Sequence, residues 1–548
     1  MFDIKKNLGW LLTLFLIGFA VYAFNLNNQL FWDDDDWIIG NPNVHSLSWT
    51  NIKTIFSTDI LNGFGLNSNY YRPLLLLSFA FNWVLHGATP FGYHIVSNLF
   101  HIGNAVLIFL LLTTLKVVMP KTVDNSQFFS KRAAFIAALL WLVHPLHVEA
   151  VAYISGRGDP MSVFFILGGL FLFANGKRWW AVLAMVLAVF SRETAILFPA
   201  LAMVLYISFQ GPTLAKKGRT FLIEVKDAFV KTLPYWGISA FYMLLRLTVL
   251  NFQNTLNFYS QSNAYTENLS YRLYTFGHAL VEYFSLMFWP LGLHMERELP
   301  VHTSLFQWPV WLGFLIVAGV LFIIFKKLNT NRIWLFCWGW FFVAISPVSG
   351  IIPINALLYE HWLYLPLIGL AALAGFYIDK IIRYKAVLIT LVILVGFFSV
   401  LSIGRNLAWG NRITFYEDIL KYNPNTVRII NNLGNAYAAE GELQKAAEMY
   451  ERAIQLPDGQ AFAQPYYNLA NTYRDQNKPE EAAKMYAKAI EIDPSFPFAY
   501  KNLAVLYAKY GFFAEAIEVL EKLKEIRPEE GSVIDEAIRR LKEDASKK

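Results

Sequence analysis

Cysteine is nearly absent from this chain of 548 residues, and charged residues are scarce. The single cysteine, Cys337, excludes an intramolecular disulfide and a cysteine-based metal site. Charged residues make up 16% of the sequence, whereas a soluble domain averages about 25%, so the chain has too few charges to cover a globular surface of its size. The sequence has no basic face interleaved with aromatic residues, the pattern that would indicate nucleic-acid binding. With 56% hydrophobic and 17% aromatic residues, the composition favours a membrane protein.

Long apolar segments occupy most of the first 404 residues. A membrane-spanning helix needs about 20 predominantly apolar residues. Eleven segments qualify or come close, near residues 10–26, 94–117, 133–151, 160–175, 179–190, 194–209, 233–250, 308–325, 332–350, 362–379 and 385–403. Residues 73–86 are predicted to lie along the membrane surface, and residues 271–291 to be re-entrant or interfacial. The sequence therefore predicts an all-α, polytopic membrane helix bundle of about 11 spans over residues 1–404.

Basic residues between the apolar segments predict the orientation of the spans. Lys5 and Lys6 precede the first segment, and cytoplasmic flanks carry an excess of Lys and Arg, so the N-terminus is expected in the cytoplasm. No small-residue cleavage site follows, so this segment is interpreted as an anchor. With eleven spans, residues 28–71, 144–159, 346–360 and the region after the last span are extracytoplasmic. The remaining basic flanks, all cytoplasmic on this count, are Lys116, Lys121, Lys131, Arg132, Lys177, Arg178, Lys216, Lys217, Arg219, Lys326, Lys327, Arg332, Lys380, Arg383 and Lys385.

A repeated pattern replaces the apolar segments after Arg405. A triplet of Asn, Leu and a small residue begins at Asn432, Asn468 and Asn502, at spacings of 36 and 34 residues, and each unit closes with a proline. Such a period is typical of tetratricopeptide repeats. It predicts a connecting half-repeat over 405–426, then three repeats and a capping helix over 427–548 that form an α-solenoid. The concave face of such a stack binds a peptide or protein; alternatively, the array only rigidifies the protein or holds a partner.

Four adjacent carboxylates, Asp33 to Asp36, follow the first apolar segment. Like charges repel each other and burial disfavours their charged forms, so the pKa of at least one is expected to rise toward the range of a general base. The same oxygen atoms suit a divalent cation. A hydrated acidic loop is the remaining interpretation.

A second polar cluster lies at the outer end of the third apolar segment. His144, His147 and Glu149 are zinc ligands by type, but their spacing matches no standard zinc motif and a proline interrupts the helix between them. Isolated polar residues at membrane depth are costly and usually functional. Arg157 could bind a phosphate through two hydrogen bonds, or pair with Asp159 in a structural turn.

Further polar residues flank the apolar segments and could either bind a lipid phosphate or pair within the protein. Asn98, His101 and Asn104 share one face of a helix, where buried hydrogen bonds between helices are the simpler interpretation. The remaining candidates are Arg72, His94, Arg192, Glu193, Glu360 and Tyr364.

Taken in order, these motifs resemble those of the transmembrane and tetratricopeptide-repeat O-mannosyltransferases, within the GT-C superfamily of glycosyltransferases. The resemblance covers nearly the whole chain. Two departures are visible, because Glu360-His361 stands where the family has Glu-Arg, and Arg192-Glu193 stands where it has Lys-Glu. Besides the acidic residues and the repeats, the shared motifs are Asn41-Pro42, Tyr71-Arg72-Pro73-Leu74, Leu85-His86-Gly87, His144-Pro145-Leu146-His147-Val148-Glu149-Ala150, Gly156-Arg157-Gly158-Asp159, Arg192-Glu193-Thr194, Pro347-Val348-Ser349 and Leu363-Tyr364-Leu365-Pro366.

The resemblance implies transfer of a sugar, mannose in the family, from a polyprenyl-phosphate donor to Ser or Thr hydroxyls of protein acceptors, with inversion and on the extracytoplasmic side. The repeats would recognise the acceptor. The protein would lie in the plasma or inner membrane of a prokaryote, or in the endoplasmic reticulum of a eukaryote.

The resemblance also implies residue roles. The catalytic base maps to Asp33 or Asp34, with the register open to Asp35. Glu149 and Asp159 would orient the acceptor or support the base. The donor phosphate would contact Arg72, Arg157, Arg192, His94 and Tyr364, and acceptor support would come from His144, His147, Glu193 and Glu360.

Two other functions remain open on the sequence. One is the same fold acting on a glycan or lipid acceptor, and the other is a non-catalytic membrane scaffold that recruits partners through its repeats. No cofactor follows from the motifs, and a divalent cation stays an alternative.

Overall fold

The computed structural model describes residues 5–65, 68–115, 128–210, 221–248, 263–328, 331–354 and 356–546. All regular secondary structure in these ranges is helical, which confirms the predicted all-α class. The chain divides into two compact units, Met1–Asn411 and Arg412–Lys548.

Within the described residues, the first unit contains helices α1 to α16. Pro73 and Pro90 begin α3 and α4, as expected because the first residue of a helix needs no backbone N–H donor. The bounds are α1 Leu8–Tyr22, α2 Trp49–Ser57, α3 Pro73–His86, α4 Pro90–Leu115, α5 Lys131–Leu142, α6 Val148–Ala152, α7 Gly158–Ala174, α8 Arg178–Ser191, α9 Phe198–Leu205, α10 Phe221–Leu247, α11 Ala264–Glu267, α12 Leu269–Phe288, α13 Trp308–Lys327, α14 Ile333–Ile345, α15 Leu367–Ile381 and α16 Lys385–Ala408.

Five helical segments among the described residues are long and apolar enough to cross a membrane. They are Lys5–Asn25, Pro90–Leu115, Ser155–Ala174, Trp308–Lys327 and Lys385–Ala408; the bent pair Lys131–Leu142 and Pro145–Ala152 adds a sixth if it is one span. These segments identify an integral membrane protein. The predicted span number and orientation stay predictions. Lys116, Lys121, Lys216, Lys217 and Arg219 lie outside the described residues, as do the last residues of the predicted spans 94–117 and 233–250.

The helical path breaks where the second polar cluster begins. α5 ends at Leu142, and Pro145 opens a new turn that leads into α6, bent by 55° from α5. A proline inside a helix removes a hydrogen bond and clashes with the preceding turn, so the break follows from the sequence. It places the polar residues of 144–152 on a short separate segment.

α4, α5, α7 and α15 pack together at the centre of the first unit, with α8 against α7 and α14 against α15. Two fully buried tryptophans, Trp141 on α5 and Trp340 on α14, donate their indole N–H groups to the carbonyl oxygens of Tyr364 at 3.1 Å and Leu365 at 2.9 Å. These hydrogen bonds fix the segment that precedes α15, which forms part of the site described below.

α12 and α13 cross with their backbones nearly touching. A Cβ atom added to Gly313 would lie 1.9 Å from the carbonyl oxygen of Gly277, far inside van der Waals contact. Small residues let membrane helices approach closely, and only glycine fits at this crossing.

The second unit is a stack of paired helices. In the first pair Gly434 faces Tyr450, and a Cβ atom at position 434 would lie 2.6 Å from the tyrosine ring, which explains the glycine of the first triplet. α18 with α19, α20 with α21 and α22 with α23 correspond to the three predicted repeats. The bounds are α17 Arg412–Tyr422, α18 Val427–Ala439, α19 Leu443–Gln455, α20 Ala463–Asp475, α21 Pro479–Ile492, α22 Pro497–Lys509, α23 Phe513–Ile526 and α24 Gly531–Ser546.

Candidate active site

A cavity of about 370 Å³ in the first unit collects polar side chains from segments far apart in the sequence. The loop after α1, the segment before α3, the α6–α7 region, the turn after α8, α10 and the segment before α15 all contribute. Of the residues predicted from the sequence, those that line it are Asp33, Arg72, Glu149, Asp159, Arg192 and Glu193.

One wall of the cavity is cationic. Arg72 Nε donates to Glu193 Oε2 at 2.9 Å, and Arg246 lies 3.7 Å from the other oxygen of the same carboxylate. Arg192 forms an ion pair with Asp159. Three guanidinium groups thus face two carboxylates on this wall, which leaves one positive charge in excess. Guanidinium groups stay charged in proteins and match phosphate oxygens in geometry, so this wall suits a phosphate ester.

Asp33 and Asp34 have different surroundings although they are adjacent. Asp33 lines the cavity and accepts a hydrogen bond from the Tyr153 hydroxyl. Asp34 is 2% exposed, and its Oδ1 accepts hydrogen bonds from the Ser155 backbone N–H at 2.8 Å and the Ser155 hydroxyl at 2.5 Å. Burial raises the pKa of Asp34 to about 7, against the effect of these hydrogen bonds. Asp35 begins a short π-helical turn, Asp35–Ile39, and does not line the cavity.

Glu149 and His361 form a pair on the cavity wall. His361 Nδ1 lies 2.6 Å from Glu149 Oε1, and the backbone N–H of Glu360 donates to the other Glu149 oxygen at 3.2 Å. The Glu360 side chain points elsewhere, toward Arg297 at 3.2 Å and Arg405 at 3.8 Å. Burial raises the pKa of Glu360 to about 7 although these arginines lower it. Glu149 therefore contacts the cavity directly, whereas Glu360 lies behind it.

Arg157 is fully buried and does not line the cavity. Its guanidinium donates to Ser97 Oγ at 3.1 Å, Asn82 Oδ1 at 2.7 Å and the Tyr93 carbonyl at 2.9 Å. These neutral partners lie on α3 and α4, so Arg157 joins those helices to the start of α7. Asp159, two residues further along, pairs with Arg192 instead.

The four remaining candidates are buried away from the cavity lining. His94 Nε2 contacts the Asn28 carbonyl at 3.0 Å, and the Tyr364 hydroxyl contacts His101 Nδ1 at 2.7 Å. His144 Nε2 contacts the Met287 carbonyl at 3.1 Å. Neither ring nitrogen of His147 has a hydrogen-bond partner in the described part of the chain. The structure places all four in the packing between helices.

The cavity residues that sequence reasoning missed include Arg246 and Tyr153. Arg246 is 3% exposed near the end of α10. A lone arginine at the end of an apolar helix was the available signal. Tyr153 carried none, because tyrosine is common in this sequence. In the residues that the structure describes, no group of three or more His, Cys, Asp or Glu side chains is arranged to hold a metal ion.

The apolar helices, the polar cavity and the paired-helix stack together define an integral membrane protein with a tetratricopeptide-repeat region. Models of the tetratricopeptide repeat match residues 429–461 and 463–496, which confirms that the C-terminal region contains tetratricopeptide repeats. Among solved structures, the crystal structure of MamA protein covers 24% of this chain at 25% identity, with a TM-score of 0.21.

Relatives named protein O-mannosyl-transferases match this chain, two of them over about four-fifths of its length. F38B6.6 of Caenorhabditis elegans is 25% identical over 81% of this chain and 62% of its own length. TMTC3 of Mus musculus is 24% identical over 80% of this chain and 50% of its own length, and TMTC1 of Homo sapiens is 36% identical over 27% of this chain and 16% of its own length. The predicted resemblance is thereby confirmed. The chain spans 62% and 50% of the lengths of the first two of these relatives, less than two-thirds in each case.

Proposed function

We propose that the chain is a membrane glycosyltransferase of the GT-C type that transfers a sugar from a polyprenyl-phosphate donor to Ser or Thr hydroxyls of proteins. Mannose is the sugar that the names of its relatives suggest. The single observation that carries the proposal is a cavity in which one carboxylate of the acidic run, Asp33, shares a lining with three arginines.

The cationic wall is the proposed site of the donor phosphate. A sugar joined to a polyprenyl phosphate carries one negative charge on its phosphodiester, which balances the single positive charge in excess on this wall. Arg72, Arg192 and Arg246 would donate hydrogen bonds to the phosphate oxygens, and the charge that grows on the leaving phosphate would strengthen them. Fixed donors aimed at developing charge are a main source of catalysis.

Asp33 is the proposed proton acceptor. The acceptor hydroxyl oxygen would bond to C1 of the sugar while its proton passes to Asp33, and the bond from C1 to the phosphate oxygen would break with inversion. The polyprenyl phosphate would leave with the bonding electron pair. A phosphate ester is already a fair leaving group, so positioning of the two reactants, neutralisation of the phosphate and one base suffice.

Asp34 would hold the base in place, because its two hydrogen bonds to Ser155 anchor the acidic run beside α7. Glu149, with His361, is the proposed contact for the acceptor. Residues 1–404 would form the transferase domain and 427–548 the acceptor-recognition repeats, joined by 405–426, with the cavity and the repeats on the extracytoplasmic side.

The test is transfer of labelled mannose from synthetic polyprenyl-phosphate-mannose to a Ser/Thr-rich peptide by the purified full chain. Asp33→Asn should lower kcat by at least about 100-fold, the usual contribution of a general base. Asp36→Asn is the matched control, since Asp36 belongs to the same run but does not line the cavity, and it should transfer at the parent rate. Full activity in Asp33→Asn would overturn the assignment of the base, and a parent that binds no donor lipid would overturn the function.

A further inference from the structure

Trp32 has a backbone conformation that bulky residues rarely adopt. Its φ is 64°, in the left-handed region where Cβ crowds the backbone. Only two other non-glycine residues in the described part of the chain, Glu296 and Asn477, have a positive φ. Such outliers persist where the surrounding structure holds them, and they cluster at ligand-binding sites.

The residues on both sides of Trp32 hold it in this conformation. Phe31 is 3% exposed, with its ring centroid 6.1 Å from that of Trp409. Asp34 is held by its hydrogen bonds to Ser155. The two residues between these fixed points, Trp32 and Asp33, both line the cavity. Glycine would adopt a positive φ without strain, so a tryptophan at this position indicates a use for its indole ring.

We propose, resting on the function proposed above, that Trp32 is the platform on which the sugar ring of the donor lies. Asp33 can take the acceptor proton only if the acceptor oxygen is within hydrogen-bond distance, and that oxygen attacks C1 of the sugar. The sugar ring must therefore lie beside Asp33. Trp32 precedes Asp33 in the chain and lines the same cavity, and the other aromatic neighbour, Tyr153, uses its hydroxyl to donate a hydrogen bond to Asp33.

The chemistry of the indole ring fits this position. The C–H face of a pyranose is apolar and packs flat against an aromatic ring. The electron-rich face of tryptophan also attracts positive charge, and glycosyl transfer develops positive charge at the ring carbon C1 and the ring oxygen. The phosphate at the cationic wall needs no aromatic surface. The indole ring of Trp32 should therefore distinguish a lipid that carries the sugar from one that does not.

The experiment compares binding of polyprenyl-phosphate-mannose and of polyprenyl phosphate to the full chain in detergent. The ratio of the two affinities is measured first for the parent and defines its preference; because the phosphate monoester carries more negative charge than the phosphodiester, only a change in this ratio reports on the sugar. Trp32→Gly should reduce this preference by about tenfold, the size expected for one aromatic contact, while binding of polyprenyl phosphate stays unchanged. Trp32→Asn, which tolerates a positive φ, is the second variant without the ring, and Trp32→Phe should keep most of the preference. Glu296→Gly, which relieves the same conformation outside the cavity lining, should bind both lipids as the parent does.

Three results would contradict these proposals. Equal weakening for both lipids in Trp32→Gly and Trp32→Asn would overturn the platform, because the residue would then act on the phosphate or on the fold. An unchanged preference in both variants would also overturn it. A parent that binds neither lipid would overturn the proposed function itself.

Discussion

Arg72 and Glu193 form a partly buried ion pair in which one carboxylate contacts two cations. Arg72 Nε lies 2.9 Å from one Glu193 oxygen, and Arg246 lies 3.7 Å from the other. The backbone N–H of Tyr71 donates to the same carboxylate at 3.0 Å. Glu193 therefore keeps two guanidinium groups close together that would otherwise repel each other.

Glu193→Ala should destabilise the first unit. The substitution leaves Arg72 and Arg246 without their shared carboxylate. Breaking a fully buried ion pair from one side costs about 3–5 kcal/mol of the free energy of unfolding, and this is the upper bound here because Glu193 faces the cavity. Thermal unfolding in detergent measures the change. Arg132→Ala breaks the pair between the exposed Arg132 and Asp379 and should have a much smaller effect. Equal effects of the two substitutions would mean that Glu193 does not hold the cationic wall together.

Arg246→Ala should weaken use of the donor and leave use of the acceptor unchanged. A hydrogen bond to a charged group contributes about 1.5–3 kcal/mol, so KM for the polyprenyl-phosphate sugar should rise about 10- to 100-fold. Initial rates at varied donor and varied acceptor separate the two KM values. Arg246→Lys should recover part of the loss, because it restores the charge without the planar fork of donors. A rise in the acceptor KM alone would contradict the placement of the phosphate.

The protein should become less stable as pH rises from about 4 to 7, because of the titration of Asp34. Burial raises the pKa of Asp34 from its usual 3.8 to about 7, so across this interval the folded state keeps a proton that the unfolded state has lost. Stability therefore falls with pH over the interval and levels off above it. Asp34→Asn should unfold with a flatter pH dependence than the parent. Burial also raises the pKa of Asp36, but Asp36 is less buried than Asp34, so Asp36→Asn should change the pH dependence less. Thermal unfolding at pH 4, 5.5, 7 and 8 measures this, and parallel curves for Asp34→Asn and the parent would contradict it.

Gly313→Ala should disrupt the crossing of α12 and α13. The added methyl group would overlap the Gly277 carbonyl oxygen, and overpacking of this kind costs about 1–3 kcal/mol. Gly319→Ala on the same helix is the matched control, since a Cβ atom there meets nothing within 4 Å. It should be neutral or slightly stabilising, because alanine favours helix more than glycine does. Unfolding of the two variants at the same temperature would show that the helices do not cross at these glycines.

The fold class and the repeats could be predicted because each rests on a local pattern. Apolar segments of spanning length indicate membrane helices, and a period of 36 and 34 residues between Asn432, Asn468 and Asn502 indicates the repeats. The relative placement of distant segments has no such pattern. Arg246 reaches the cavity from α10, and nothing in the neighbouring sequence indicates its contact with Glu193.

Two residues of one motif show how far a motif can predict a site. Arg157 and Asp159 belong to the same Gly-Arg-Gly-Asp sequence, and both were expected at the donor or acceptor. Residues two positions apart in a helical segment project in nearly opposite directions. Asp159 consequently lines the cavity and Arg157 points to α3 and α4. The motif identified the segment, and the geometry of the helix decided which side chain reaches the cavity.

The dispersal of the cavity along the chain has a consequence for biogenesis. Its lining begins at Trp32 and ends at Pro366, so a ribosome that makes about 5–20 residues per second needs roughly 15–70 s to produce the missing partners. Asp34 can form its hydrogen bonds with Ser155 only after Ser155 has been made. Asp33 likewise reaches the cationic wall only after all three arginines have been made. In the proposed topology the acidic run would stay hydrated outside the bilayer until these later segments are made, which four adjacent carboxylates allow and an apolar loop would not.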